Sequence, residues 1–325
     1  MNVLGIETSC DETAAAVVRD GRKVLSNVVA SSLALHKRFG GVVPEIAFRK
    51  QLETITQVAD SSLDRAGLNL KDIGLISVTS SPGLLGSLLV GLSFAEGVSL
   101  SRGIPLLPID HLQGHIYAGF LNGEKIPFPF VSLVASGGHT SLNLVKDFSR
   151  IVPLGATRDD ASGEAFDKVA KILGLGYPGG PPIERRARRG NREKIKFACS
   201  NTPDPLDFSF SGIKTAVLYY CRDKKIKPLA GKQISDVAAS FQEAVVDTLV
   251  KKSLFACAKT KARHLVIGGG VAANQRLREK FHSGGALAGV KCHFPQKAYC
   301  MDNAAMIAGL GYRLFKKGYR GGSYA

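Results

Sequence analysis

Tryptophan, paired cysteines and long apolar runs are missing from this chain of 325 residues. Its six cysteines include no Cys-x-x-Cys pair and no zinc-finger spacing, which argues against a disulfide framework and favours reduced thiols. No stretch reaches the ~20 consecutive apolar residues of a membrane-spanning helix. The first residues also lack the basic and then apolar segments of a secretory signal. We therefore expect a cytoplasmic protein with no membrane partner.

Acidic residues are scarce relative to basic ones, with 27 Asp and Glu against 43 Lys and Arg and a formal net charge of +16. This excess favours a polyanionic partner such as nucleic acid, although a merely soluble basic surface fits equally well. The charge is concentrated between Arg185 and Lys194, where ten residues include five arginines and one lysine. Such a run is commonly a solvated surface. Together with the net charge, it gives the hypothesis of an edge that contacts RNA.

One pattern occurs twice: a strand, a small-residue turn, two more strands and then helices begin at Val3 and again at Phe130. The turns read ETSCDET in the first copy and ASGGHT in the second. Strands that alternate with helices predict a mixed α/β sheet in each half. Two such halves facing each other would place both turns at one cleft, a usual place for a ligand.

Local signals in the first half predict a hairpin and an amphipathic helix. Asp20-Gly21 separates two strand-like runs, which is a strong hairpin signal. The helix is expected to start at Pro44 and to stop at Gly67. The residues expected on its buried face are Leu52, Ile55, Ala59 and Leu63.

Glycine-rich turns in the second half are candidate ligand-binding loops. The turn SGGHT offers consecutive backbone N–H groups that suit phosphate or carboxylate, although a plain hairpin turn is an equal alternative. The segment VIGGGVAAN runs from a strand into a helix, and Gly269, Gly270 and Asn274 are candidates for adenosine or ribose contacts. It is not GxGxxG, so a dinucleotide is a weak interpretation. YPGGPP is either a connector or a third part of the site.

His111 and His115 are spaced four residues apart and directly follow a predicted strand. On a helix this spacing puts both imidazoles on one face, where they can bind a metal. Asp110 is placed to orient an imidazole, and Asp302 is an attractive third ligand. Histidine and carboxylate ligands suit Fe²⁺, Zn²⁺ or Mn²⁺ better than Ca²⁺. A zinc protease would need HExxH, which is absent here.

Motifs along nearly the whole chain resemble the TsaD-type family of tRNA N6-adenosine threonylcarbamoyltransferases. The resemblance rests on GIETSCDETAAAVV, FGGVVPE, PGLLGSLLVG, DHLQGH, SGGHTSL, DDASGEAFDKVAKILGLGYPGGP, FSFSGIKT, GGGVAANQRLR and CMDNAAM. It implies an α/β fold of the actin/Hsp70/sugar-kinase (ASKHA) type, with two ribonuclease-H-like domains around a nucleotide cleft. We expect residues 1–109 plus 296–325 in the first domain and 110–295 in the second, with an insertion near 177–228.

The resemblance also implies a set of site residues. The metal ligands would be His111, His115 and Asp302, holding one divalent ion per subunit, with Fe²⁺ preferred over Zn²⁺ or Mn²⁺. Substrate contacts carry over onto Val134, Ala135, Ser136, Gly137, Gly138, Asp167, Gly180, Glu184 and Asn274. The turn that contains Ser9, Asp11 and Glu12 would face the transferred group, and the candidate proton acceptors are Asp11, Glu12 and His139.

The implied activity is transfer of a threonylcarbamoyl group from threonylcarbamoyl-AMP to N6 of the adenosine beside the anticodon, in tRNAs that read codons starting with A. The motifs ETSCDETA and FGGVVPE resemble the bacterial form. Bacterial relatives work with a paralogous TsaB-type protein and a small TsaE-type ATPase. Departures from the usual motifs are Phe48, Gln51, Ser81 and Met301.

Two other functions stay open at this point. One is a nucleotide-dependent scaffold or clamp in a nucleic-acid-associated complex. The other is a metabolite kinase of the same superfamily, although kinases of that fold carry an Asp-Gly-Thr type of first turn in place of ETSCDET. Turnover of ATP to a phosphorylated small molecule would separate the kinase from the transferase.

Overall fold

The computed structural model describes residues 1–123, 125–229 and 231–320. The chain divides into two compact units. Unit 1 contains residues 1–125 and the C-terminal residues from Met301, and unit 2 contains residues 126–300. Each unit has its own hydrophobic core. Within the described ranges, no helix is both long and apolar enough to cross a membrane.

Unit 1 is built on a five-stranded mixed sheet. Its strands are β1 (Asn2–Glu7), β2 (Glu12–Arg19), β3 (Lys23–Ser31), β4 (Ile73–Ser81) and β5 (Leu106–Asp110), in the order β3-β2-β1-β4-β5. β1, β2 and β3 are antiparallel, whereas β4 and β5 run parallel to β1. The hairpin predicted at Asp20-Gly21 is confirmed, and both residues have positive φ, at 52° and 73°.

The helices of unit 1 are α1 (Leu33–His36), α2 (Pro44–Ala66), α3 (Leu85–Arg102) and α4 (His111–Tyr117), with 3₁₀ turns at Lys37–Phe39, Leu70–Asp72 and Ala118–Gly123. The predicted bounds of α2 are confirmed, since Pro44 opens the helix and Gly67 ends it with φ 66°. Its predicted face is wrong at one position. Leu52 is 60% exposed, and the neighbouring Gln51 is fully buried instead. Gln51 faces inward because its side-chain amide contacts the backbone oxygens of Cys10 and Glu12.

Unit 2 repeats the sheet of unit 1. Its strands are β6 (Phe130–Ala135), β7 (Thr140–Asp147), β8 (Arg150–Ala156), β9 (His264–Gly268) and β10 (Lys291–His293), in the order β10-β9-β6-β7-β8. β6, β7 and β8 are antiparallel, and β9 and β10 are parallel to β6 and to each other. The repeat seen in the sequence is therefore a repeat of sheet topology.

The helices of unit 2 are α5 (Ser162–Ile172), α6 (Gly180–Ala187), α7 (Ser211–Asp223), α8 (Gly231–Thr260) and α9 (Gln275–Leu287), with 3₁₀ turns at Gly270–Ala273 and Lys297–Tyr299. The core of unit 2 packs α5, α7 and α8 against the sheet through side chains such as Phe166, Phe208 and Phe241. Burying one such side chain contributes about 1.5–3 kcal/mol. The insertion expected near residues 177–228 contains α6 and α7.

The last helix, α10 (Ala304–Lys316), belongs to unit 1 and packs against β1. The contact is so close that a Cβ on Gly5 would lie 2.3 Å from the Ala304 carbonyl oxygen. α4 also packs against α10. This packing keeps residues 110–125 in unit 1, whereas we expected them in the second domain, and residues 296–300 lie in unit 2.

Candidate active site

Helix α4 presents both histidines at the carboxyl end of β5. Asp110 is the N-cap of α4, and its carboxylate accepts a hydrogen bond of 2.9 Å from the Gln113 N–H. His111 and His115 are buried, and their ring centroids are 4.6 Å apart. Asp110 thus serves as a helix cap, and its predicted role in orienting an imidazole stays a prediction.

Asp302 reaches the histidines from the start of α10. Asn303 caps that helix by accepting from the Met306 N–H at 3.1 Å, which fixes Asp302 one residue earlier. Asp302 Oδ1 lies 3.1 Å from His115 Nε2 and 3.5 Å from His111 Nε2. The potential ligand atoms of the three residues all lie within 4.8 Å of one another. The structure thus brings together the three residues that the sequence named as metal ligands.

Glu7, which the sequence reasoning missed, orients His111. It ends β1, is fully buried and has one oxygen 2.9 Å from His111 Nδ1, while the Thr79 hydroxyl donates to the same oxygen at 2.6 Å. Its other oxygen accepts from the Ser9 N–H at 2.6 Å. A carboxylate on Nδ1 fixes the tautomer that leaves Nε2 available to a metal. The available signal was an acid at the end of the first predicted strand, directly before a turn.

Glu7 and His111 each shift the pKa of the other toward the charged form. Burial opposes the charged imidazolium, but the negative charges of Glu7 and Asp302 outweigh it and raise the pKa of His111 to about 9. Burial likewise opposes the charged carboxylate, but the charge of His111 prevails and holds the pKa of Glu7 below its usual value.

The donor set fits a divalent transition metal. Both ring nitrogens of His115 are buried and make no well-aligned hydrogen bond within the described residues, although Nε2 lies 3.1 Å from Asp302 Oδ1. Leaving buried polar atoms unsatisfied costs about 1–3 kcal/mol each, so a ligand at this position would relieve a real penalty. Two imidazoles and one carboxylate are a ligand set used by Fe²⁺ and also suited to Zn²⁺.

The turn from Thr8 to Glu12 is fixed by hydrogen bonds that its backbone carbonyl oxygens accept from other parts of unit 1. Gln51 Nε2 lies 3.0 Å from the Cys10 oxygen and 2.9 Å from the Glu12 oxygen. The backbone and hydroxyl of Ser32 donate to Asp11 O at 3.1 and 2.7 Å, and the Leu84 N–H donates to Ser9 O at 2.8 Å. These bonds explain why Gln51, and not Leu52, is the buried side chain on α2.

Three candidate catalytic residues lie on this turn. Ser9 is buried, and its hydroxyl oxygen lies 3.2 Å from His111 Nδ1. Glu12 accepts from the Ser31 hydroxyl at 2.9 Å through Oε1, while its Oε2 is buried without a hydrogen-bond partner in the described part of the chain. Burial, assisted by the charges of Asp11 and Asp302, raises the pKa of Glu12 to about 7. Burial also raises the pKa of Asp11.

In unit 2, the turn between β6 and β7 lies beside the glycine turn after β9. Val134 of β6 pairs with Gly268 of β9 in parallel, so the carboxyl ends of these strands are neighbours. Gly269 has φ 87°, and a Cβ there would lie 2.4 Å from the Ala135 oxygen. Only glycine allows this approach. The structure therefore brings together two predicted loops, listed as Val134, Ala135, Ser136, Gly137 and Gly138 with Gly269, Gly270 and Asn274.

The turn after β6 exposes two glycines. Its ends are closed by the Ser136 N–H donating to His139 O at 2.8 Å and by the His139 N–H donating to the Ser136 hydroxyl oxygen at 3.2 Å. Gly137 and Gly138 are exposed, and a Cβ on either would meet nothing within 4 Å. Their backbone is thus open to an approaching group.

Asn274 is more engaged than the sequence suggested. Its side-chain oxygen caps α9 by accepting from the Leu277 N–H at 3.0 Å, and its Nδ2 donates to Gln242 Oε1 at 2.8 Å. A primary amide has two N–H donors, so one remains for a ligand. Gln242, on α8, was not identified from the sequence.

Asp167, Gly180 and Glu184 connect α5, α6 and α9. Asp167 Oδ1 accepts from the Gly179 N–H at 2.6 Å, directly before α6 begins at Gly180. Glu184, one turn into α6, accepts from the Gln275 N–H at 3.4 Å and pairs with Arg188 at 2.7 Å. Glu184 also lines a pocket of about 240 Å³ with Gln242. The expected residues thus form two sets, one within each unit.

Solved structures with low sequence identity share the fold. Component A of (R)-2-hydroxyglutaryl-CoA dehydratase from Acidaminococcus fermentans matches with a TM-score of 0.58 at 13% identity, over 96% of this chain and 98% of that chain. Full-length HypF, in its phosphate- and nucleotide-bound form, matches with a TM-score of 0.64 at 13% identity, over 99% of this chain and 47% of that chain. These likenesses and the two mixed sheets confirm the actin/Hsp70/sugar-kinase fold class.

Sequence comparisons are more specific. The family model described as TsaD, tRNA N6-adenosine threonylcarbamoyltransferase, matches residues 23–309. The tRNA N6-adenosine threonylcarbamoyltransferase of Caldicellulosiruptor saccharolyticus is 51% identical over 318 residues, which cover 98% of this chain and 94% of the relative. That of Clostridium botulinum strain 657 is 50% identical over 323 residues, with the same coverage of both chains. The chain therefore belongs to the TsaD family of tRNA N6-adenosine threonylcarbamoyltransferases.

Proposed function

We propose that this chain transfers the threonylcarbamoyl group of threonylcarbamoyl-AMP to N6 of the adenosine on the 3′ side of the anticodon, in tRNAs that read codons starting with A. Membership of the TsaD family supports the reaction. The single structural observation that carries the proposal is the buried cluster of His111, His115 and Asp302, with Glu7 behind it. We place the reaction in the cytoplasm.

The cluster is proposed to hold one divalent ion per subunit, with Fe²⁺ preferred over Zn²⁺ or Mn²⁺. When bound, the ion would supply Lewis-acid polarisation of the threonylcarbamoyl group. Glu7 keeps the proton of His111 on Nδ1 and thereby directs Nε2 to the ligand position. Its full burial, with three hydrogen-bonding neighbours, limits movement of the His111 ring.

The loops of unit 2 are proposed to bind the nucleotide part of the donor. The exposed backbone of Gly137 and Gly138 suits the phosphate, because glycine N–H groups can approach an anion without side chains between them. Asn274 offers one remaining N–H, and Gly269 and Gly270 offer close backbone approach to ribose or adenine. Asp167, Gly180 and Glu184 complete the set.

The chemical step is attack of the adenosine N6 on the carbamoyl carbon. The new C–N bond forms, the bond from that carbon to the phosphate oxygen breaks, and AMP leaves. The amine must lose one proton, and an exocyclic aromatic amine is a weak nucleophile, so positioning supplies much of the rate. Glu12 is the acceptor that we favour over Asp11 and His139, because its Oε2 has no partner in the described chain and its pKa is about 7.

Two accessory proteins are part of the proposal: a paralogous protein of the TsaB type and a small ATPase of the TsaE type. The support is the resemblance of ETSCDETA and FGGVVPE to the bacterial form of the family. The reaction should therefore be assayed with the chain together with these partners.

The test is a reconstituted reaction with labelled threonylcarbamoyl-AMP, an unmodified tRNA transcript, metal and the partner proteins. Digestion of the tRNA followed by mass spectrometry should detect threonylcarbamoyladenosine with the wild-type chain. His115→Ala should abolish both product and metal binding, whereas His282→Ala, at an exposed histidine of unit 2, should change neither. Absence of product from the metal-loaded wild type would overturn the proposed function. Full activity of His115→Ala would remove the role of the cluster.

A further inference from the structure

The most concentrated positive charge in the sequence lies on a surface of unit 2 that the proposed chemistry does not use. We call residues 185–194 the arginine segment; it spans the end of α6 and the loop that follows. One of its cations, Arg188, is paired with Glu184. Five others have no ion-pair partner among the described residues: Arg185, Arg186, Arg189, Arg192 and Lys194.

The segment is anchored against α8 and is not a loose tail. A Cβ on Gly190 would lie 1.9 Å from the Ser235 carbonyl oxygen, so the two backbones are in direct contact. The Asn191 N–H donates to Asp236 Oδ1 at 2.7 Å, and the Ser240 hydroxyl donates to Asn191 O at 3.3 Å. Charges on a fixed backbone lose less conformational freedom on binding than charges on a disordered tail.

The anchored segment directly adjoins the candidate substrate residues of the same unit. It continues the helix that begins at Gly180, and Asp167 holds the residue before that helix. Glu184, one residue before the segment, accepts from the Gln275 N–H, next to Asn274. A polymer bound on the segment would therefore pass beside the loops that we assign to the donor nucleotide.

The composition of the segment favours a phosphate-rich partner. Some other cations of unit 2 are neutralised within the fold, such as Arg158 by Asp207 and Arg276 by Glu243. Ala187 of the segment and Ile183 just before it are buried, so the segment itself offers no exposed apolar side chain to a protein interface or a lipid surface. Arginines without acidic partners are suited to bind phosphate oxygens through two parallel hydrogen bonds.

We propose that the arginine segment binds the phosphate backbone of the RNA substrate beside the transfer site. This inference rests on the proposed function, because that function makes RNA the acceptor. Contacts to phosphates position a nucleic acid without reading its sequence. The segment should therefore set affinity and its salt dependence rather than the choice of the modified base.

The test measures equilibrium binding of an unmodified tRNA transcript to the full-length chain between 50 and 200 mM salt. One variant neutralises four exposed cations of the segment, through Arg185→Gln, Arg189→Gln, Arg192→Gln and Lys194→Gln. A matched control neutralises four exposed lysines elsewhere in unit 2, through Lys224→Gln, Lys225→Gln, Lys227→Gln and Lys232→Gln. Thermal unfolding checks that both variants fold.

Each phosphate contact contributes roughly −0.7 to −0.9 to the slope of log K against log salt, so the segment variant should lose about 3 from the magnitude of that slope. The affinity drop of the wild type between the two salt concentrations would exceed that of the variant by a factor of about 50–150. The control should keep the wild-type slope. Equal losses in both variants would mean that net charge acts without a defined surface, and would overturn the inference. So would unchanged slopes, or no tRNA binding by the wild type at 50 mM salt.

The transfer assay separates this inference from the proposed function. If the wild type forms product but the segment variant has the wild-type slope of log K against log salt, the inference fails and the proposed function stands. If the slope of log K against log salt is reduced in the segment variant but the wild type forms no product, the segment binds RNA and the assigned reaction fails.

Discussion

Glu7 shows how one buried carboxylate can organise a site that it does not itself line. Its two oxygens engage the His111 ring, the Thr79 hydroxyl and the Ser9 N–H, so three elements of unit 1 converge on it. An unpaired buried charge would be costly, and the charge of His111 offsets that cost. A bound cation would do the same when His111 becomes a neutral ligand.

Glu7→Gln should weaken metal binding by about 10- to 100-fold, the range found when a hydrogen-bonding partner of a metal-binding histidine is changed. The physical reason is the loss of the charge that favours the Nδ1–H tautomer of His111. Competition for Zn²⁺ against a chromophoric chelator would measure the affinity. Glu53→Gln, at an exposed glutamate of α2, is the matched control and should bind Zn²⁺ as the wild type does. Wild-type affinity in Glu7→Gln would contradict the positioning role.

The raised pKa of Glu12 predicts how its contribution to folding stability changes with pH. Its pKa rises from 4.5 to about 7 in the folded chain, so the native state binds more protons than the unfolded state between these values. The contribution of Glu12 to stability must therefore fall as pH rises from about 4.5 to about 7. Relative to the wild type, Glu12→Gln should gain stability over this interval, as measured by urea unfolding at both ends. A constant difference between the two proteins would show that the pKa of Glu12 is not raised.

The geometry of the proposed metal-binding cluster depends on how closely α4 and α10 approach each other. At Gly114, between the two histidines, a Cβ would lie 2.8 Å from the Ile307 Cδ1 atom and 3.3 Å from the Met306 Cγ atom of α10. Since Asp302 directly precedes the cap of α10, the distance between α4 and α10 sets the distance between histidines and carboxylate. The glycine in DHLQGH is thus part of the ligand geometry.

Gly114→Ala should separate the two helices and reduce Zn²⁺ affinity by about tenfold, which corresponds to ~1.4 kcal/mol, with a similar loss of stability from overpacking. Gly97→Ala is the control, because Gly97 is an exposed helical glycine of α3 with open space around it. Gly97→Ala should leave the free energy of unfolding unchanged or raise it by up to about 1 kcal/mol. Chelator competition and urea unfolding provide the two readouts. If Gly114→Ala behaved like Gly97→Ala, the approach of the helices would not matter.

Elements with local signals could be predicted from the sequence, whereas contacts between distant elements could not. The hairpin at Asp20-Gly21 and the ends of α2 follow from turn and capping chemistry. The placement of His111 and His115 on one face of a helix follows from their spacing of four residues. Glu7 and Gln51 were missed because their partners lie on other elements and become neighbours only in the folded sheet. The same contacts turn Leu52 outward, against the apolar periodicity of α2.

At the scale of the whole molecule, all three proposed metal ligands and Glu7 belong to unit 1. A metal that binds only the folded site stabilises it by about 2.7 kcal/mol at 100 times the dissociation constant. We expect this stabilisation in the unit that supplies the ligands.

Saturating Zn²⁺ should therefore slow amide hydrogen exchange in β1, β4 and α10 by up to about 100-fold, and should leave β6 and β9 of unit 2 unchanged. Exchange followed by mass spectrometry of peptides from both units would measure it, with the His115→Ala chain as the control. Equal slowing in both units would show that the ion stabilises more than its own unit.

The chain order of unit 1 has a consequence for biosynthesis. β1 is made before unit 2, whereas the helix that packs on β1, and Asp302 just before that helix, are made after unit 2. Between His115 and Asp302 the ribosome adds all of unit 2, which takes roughly 10–40 s at ~5–20 residues per second. During this interval a nascent chain carries the two histidines without the carboxylate of Asp302. The proposed three-ligand site can therefore form only after Asp302 has been made, and a chain that terminates before Asp302 lacks the carboxylate of that site.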